Sequence, residues 1–140
     1  MSPVVRNILA VIGGVLIGGC LNMGIIMISN FVIPFPEGAD FKSMEGLQAS
    51  MHLMEPKHFI MPFLAHALGS LLGAVVGAGI AITHKMWIAL GISAWFLIGG
   101  IMAVMDLPSP IWFTILDLTL AYIPMGYLGG KIMTSRRTPS

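Results

Sequence analysis

Residues 59–83 read FIMPFLAHALGSLLGAVVGAGIAIT, an apolar run of about 25 residues in which the only ionisable side chain is His66. About 20 apolar residues, each rising 1.5 Å along a helix, cross the ~30 Å hydrocarbon core of a bilayer. This stretch therefore reads as a membrane-spanning helix. Polar side chains inside such a segment are costly, and they mark functional positions by default.

Three further segments have the same character, at about residues 7–33, 87–105 and 110–130. The expected fold class is all-α: a polytopic membrane protein built as a four-helix transmembrane bundle. It forms a single domain over residues 1–133, followed by a short tail at 134–140. Composition agrees, since 56% of the chain is hydrophobic and only 9% charged, against roughly 25% charged in soluble domains. The second and third segments are joined only by Thr83-His84-Lys85-Met86, which predicts a tight antiparallel hairpin. Pro108 and Pro110 end the third helix and let the fourth begin.

Cations fix the expected orientation. Arg6, Lys85, Lys131, Arg136 and Arg137 fall on one side, and only Lys42 and Lys57 on the other. The positive-inside rule then places both termini in the cytoplasm and residues 34–58 outside. The net charge of +1 offers no field for a polyanion, so nucleic acid is not an expected partner. In residues 34–58, Ser43 caps a short amphipathic helix with Glu45 in its first turn. Met44, Leu47, Met51 and Met54 form its apolar stripe, expected to lie along the outer interface.

Arg6 and the apolar run ending Ile17-Gly18-Gly19-Cys20 resemble the signal segment and lipid-attachment box of a bacterial lipoprotein. The run continues to Ile33, beyond the 7–15 residues of a signal core, so an uncleaved first helix is the expectation. The chain as a whole resembles small four-helix proteins of the bacterial inner (plasma) membrane, which implies that location without supplying a family motif.

Small residues recur at four-residue spacing: Gly14, Gly18 and Asn22 in the first helix, Gly69, Gly73 and Gly77 in the second, Gly126 and Gly130 in the fourth. Such GxxxG faces let helix backbones approach closely in lipid, where the ordinary hydrophobic drive is missing. They serve contacts within one chain or between chains. A homo-oligomer, or a membrane protein partner, is an expected associate besides the lipid.

His66 and Asp117 lie roughly 10–12 Å inside their outer helix ends and Asn22 about 17 Å. They share the outer half of the bilayer, with Ser70 and Thr114 on the same helix faces. A carboxylate there costs ~2.5–3.5 kcal/mol even on the lenient scale, so Asp117 is expected to pair with His66. The pocket Asn22, His66, Ser70, Thr114 and Asp117 is read as a ligand- or proton-binding site, with Glu55, His58 and Asp106 at its entrance. Pro62 and Pro124 each remove a helical hydrogen bond nearby.

The favoured function is a transporter- or channel-like protein that binds a small solute, ion or proton there. The alternative is a structural or accessory subunit whose polar residues are interhelical glue; the third reading is a metal-dependent membrane enzyme. No cofactor is expected. A zinc, iron or copper site would draw on His52, Glu55, His58 and His66, and a Cu(I) version on Met23, Met27, Met51, Met54, Met61, Met102 and Met105. No phosphate-binding loop, nucleophile elbow or Cys-x-x-Cys pair occurs.

Overall fold

The computed structural model describes residues 1–136 and is helical, with no strand among them. The element order is α1 (Pro3–Val32), α2 (Met44–Ser50), α3 (Ile60–Ile80), α4 (Lys85–Asp106), α5 (Ile111–Leu120) and α6 (Ile123–Ser135). Short 3-10 turns at Met51–Leu53 and Pro56–Phe59 lead into α3. Four units are long and apolar enough to cross a membrane: α1, the 3-10 turn continued by α3, α4, and α5 with α6 taken together. Of the expected tail, residue 134 and Ser135 belong to α6, and residues 137–140, Arg137 included, lie outside the described residues.

Local chemistry sets the helix ends. Ser2 caps α1, its hydroxyl accepting from the Val5 N–H at 3.3 Å, with Pro3 in the first turn. Pro34 follows the C-cap Ile33, and Pro108 follows the C-cap Leu107 of α4. α1 runs unbroken through Cys20, which is exposed. Between α3 and α4 the chain turns over Ala81–His84, and His84 takes a left-handed conformation with φ 54°.

α3 is the hub, packed against α1, α4 and α6. The seam with α1 is backbone on backbone: a Cβ on Gly14 would come within 2.6 Å of the Gly73 carbonyl oxygen, and one on Gly73 within 2.8 Å of the Gly14 carbonyl oxygen. Gly18 and Gly69 meet in the same way one turn along, with Asn22 packed on Gly69. Ile92 of α4, fully buried, fills the notch beside Gly14, Gly73 and Gly77. Gly129 packs on α3 at Ala74, while Gly126 and Gly130 pack on α4 at Ser93 and Met86. All three glycine faces thus close contacts inside one chain. Their core is mostly alanine, with Ala10, Ala74, Ala78 and Ala89 fully buried.

The fourth span is not one helix. It breaks at Ala121-Tyr122, where Pro124 in the first turn of α6 supplies no N–H to continue α5. Pro62 behaves differently: it falls in the first turn of α3, where its missing N–H interrupts nothing.

The two ends of the bundle differ in chemistry. Arg6 Nε donates to the Ile80 carbonyl at 2.8 Å, and Asn7 Nδ2 donates to the Thr83 hydroxyl at 2.7 Å while its Oδ1 accepts from the Ile82 N–H. The N-terminus of α1 therefore satisfies the end of α3, next to Lys85. At the opposite end, residues 34–59 fold over the mouth of the bundle.

Candidate functional site

Asp117 comes from the last turns of α5 and His66 from the second turn of α3. The imidazole Nδ1 lies 2.8 Å from Asp117 Oδ1 and 3.0 Å from Oδ2. The Tyr122 hydroxyl donates to Oδ2 at 3.2 Å, and the tyrosine ring stacks on the imidazole with centroids 5.7 Å apart and planes 25° apart. The Asp117 side chain keeps 3% of its exposure and the His66 side chain 22%. Both carboxylate oxygens are engaged by donors, which is what a buried carboxylate requires.

The hydrogen-bond polarity follows from the charge of the carboxyl: an ionised Asp117 is acceptor-only, and Nδ1 then carries the hydrogen that meets it. In the neutral imidazole, Nε2 is then the lone-pair nitrogen. Nε2 has no hydrogen-bond partner within the chain among the described residues.

His66 and Asp117 line a cavity of about 220 Å³. α1 contributes Ile26 and Ser29, the chain just beyond it Ile33 and Phe35, and the loop Leu47, Met51 and Met54. α4 contributes Gly100, Ala103 and Val104, and α5 Phe113. The lining is overwhelmingly apolar. Ser29 donates its hydroxyl to the Ile26 carbonyl at 2.7 Å.

The structure separates the other expected site residues from this pair. Asn22 and Ser70 are not in the cavity wall: Asn22 packs on Gly69 in the α1–α3 seam, Ser70 is buried on α3, and among the described residues Asn22 Oδ1 and Ser70 Oγ have no hydrogen-bond partner. Thr114, half-buried, is likewise outside the lining.

At the mouth, His58 lines the cavity, but both its nitrogens are committed. Nδ1 accepts from the Glu55 N–H at 2.8 Å, and Nε2 donates to the Pro34 carbonyl at 3.1 Å. His58 therefore ties the start of the second span to the end of the first. Glu55 is exposed and pairs with Lys57 at 3.3 Å. Asp106 is exposed, and its carbonyl receives the Gln48 side chain from α2. Neither carboxylate lines the cavity.

His52, Glu55, His58 and His66 do not converge. Among the described residues no three His, Cys, Asp or Glu side chains are placed to hold a metal ion. The helical spacing is lost because residues 51–59 pass through two 3-10 turns separated by an extended Met54-Glu55. The methionines scatter too: Met51, Met54 and Met61 line the cavity, whereas Met23, Met27, Met102 and Met105 are exposed on the outer surface of the bundle.

Two residues of this network escape sequence reasoning. Tyr122 is five positions from Asp117, about 140° round a continuous helix, and only the break brings it back. Gly100 makes room for it, since a Cβ there would lie 2.6 Å from Tyr122 Cζ. The signals were present as Pro124 and the Gly99-Gly100 pair. No family model, curated protein or solved structure matches this chain.

Proposed function

We propose that this small multi-pass membrane protein admits a small solute or a proton from its loop end to the cavity between α1, α3, α4 and α5, where His66 meets it. The observation that carries the reading is a histidine held by a buried carboxylate at 2.8 Å, with its second nitrogen unbonded, in the wall of a cavity. Asp117 and Tyr122 position the imidazole, and the ring is the group that would pass or bind a proton or solute there. The cationic end faces the cytoplasm of a bacterial cell on the positive-inside rule. The loop and its helix α2 then cover the outer mouth. Assembly into a homo-oligomer would line further surface along the exposed faces of α1 and α4.

Proteoliposomes loaded with a pH-sensitive dye test this reading. Wild-type protein should dissipate an imposed pH gradient, and Asp117→Asn, with an unchanged elution profile, should not. Equal rates for the two proteins remove the role of the pair.

A second reading is favoured by one observation: both oxygens of Asp117 are satisfied within the chain. The pair then serves as glue between α3 and the broken span of an accessory subunit. Absence of any flux in wild type, with loss of assembly in both Asp117→Asn and His66→Ala, would select it.

A further inference from the structure

Resting on the cavity reading above, we propose that the solute is a small, uncharged, lipophilic molecule bearing one hydroxyl, a phenol or a short alcohol in chemical class. Its hydroxyl donates to His66 Nε2.

Polarity comes first. An ionised Asp117 accepts from Tyr122 and from His66 Nδ1, so the neutral ring offers an acceptor at Nε2. His58 has both nitrogens engaged, and Ser29 donates to backbone. Apart from the Ser109 hydroxyl in the α4–α5 connection, His66 Nε2 is the one polar side-chain atom of the lining without a partner. A ligand bearing one donor on an apolar body matches such a wall; a hydrated ion does not, because no set of oxygen ligands replaces its water.

Size agrees. The cavity of about 220 Å³ exceeds the ~150 Å³ of an apolar cavity that takes up benzene. Ile26, Leu47, Met51, Val104, Phe59 and Phe113 suit a single ring with short substituents.

Charge decides between a neutral and a cationic donor. The groups facing His66 are Asp117 from α5, Tyr122 from the break, and His58 at the mouth; α1 and α4 bring no ionisable residue to the lining. An ammonium would be stripped of water beside a carboxylate already holding two donors, a poor compensation for its desolvation. A neutral hydroxyl loses little and gains the bond.

Titration calorimetry on the full chain in lipid nanodiscs tests this with p-cresol, its methyl ether 4-methylanisole, and benzylamine as its ammonium. p-Cresol should bind about tenfold more tightly than the ether, the effect of one lost hydrogen bond. The ether partitions into lipid more readily, so background uptake runs the opposite way. Equal affinity for p-cresol and the ether overturns the donor assignment while leaving a solute-binding cavity. Tighter binding of benzylammonium overturns the choice of a neutral ligand. Binding of none of the three overturns both this inference and the cavity reading. All arms use wild-type protein, so none depends on a variant folding.

Discussion

The Tyr122 hydroxyl reaches Asp117 Oδ2 at 3.2 Å across the interruption between α5 and α6, and Gly100 of α4 supplies the space its ring occupies. An unbroken helix would send this tyrosine to a different face from the carboxylate. The interruption is therefore part of the site, not a packing accident.

Gly100→Ala should push the tyrosine ring off Asp117, with overpacking costing about 1–3 kcal/mol. Gly99→Ala, where a Cβ meets nothing within 4 Å, is the control and should melt as wild type or higher. Tyr122→Phe should lower stability by about 0.5–1.5 kcal/mol. Thermal unfolding in a fixed detergent compares all three.

His66 and Asp117 should show strong coupling in a double-mutant cycle of His66→Ala and Asp117→Asn. Interhelical hydrogen bonds in membranes contribute about 0.6–2 kcal/mol, and a charge left unpaired adds to the cost of either single change. The expected result is that the double variant is less damaged than the two single effects summed. Simple additivity would mean that the two side chains do not interact in the folded protein.

Along the α1–α3 seam, Gly14→Leu and Gly73→Leu should each separate the two helices, because the added atoms meet backbone that cannot rotate away. A loss of at least about 2 kcal/mol is expected. Gly24→Leu, at a position with nothing within 4 Å, should be tolerated. Cross-linking between cysteines placed on α1 and α3 would report the separation directly.

His84 adopts φ 54°, a region that costs a residue with a Cβ about 1–2 kcal/mol. His84→Gly should raise the melting temperature or leave it unchanged, since relief of strain is partly offset by the freer unfolded chain. His84→Val, branched at Cβ, should lower it. The predicted order is Gly at or above His, and His above Val.

The four spans and the His66–Asp117 pair were legible because each rests on one dominant cost: exposing apolar surface to water, or leaving a buried carboxylate alone. The polar pocket around that pair was not. Depth and helix face placed Asn22 and Ser70 near His66, yet glycines 14, 18, 69 and 73 draw α1 and α3 together so closely that Asn22 packs on Gly69, and neither Asn22 nor Ser70 lines the cavity. Sequence spacing shows which glycines share a face; it does not show which two faces meet. The apolar nature of the actual cavity depends on Leu47, Met51 and Met54 folding back from the loop. That placement rests on long-range bonds, Gln48 to the Asp106 carbonyl and His58 to the Pro34 carbonyl, that no local pattern encodes.

The backbone seam between α1 and α3 also divides the cavity into unequal walls. Carbonyl against glycine leaves no rotamer that could change to widen the gap, so α1 and α3 behave as a rigid jamb. Residues 34–59, which close the mouth, are anchored instead by the Gln48 and His58 side-chain bonds and by Phe59 packed on Trp112 and Phe113. On the proposed function, an occupant enters past residues 34–59 rather than through the α1–α3 seam, and substitutions at Gln48 or His58, whose side chains anchor that segment, should alter the rate of entry.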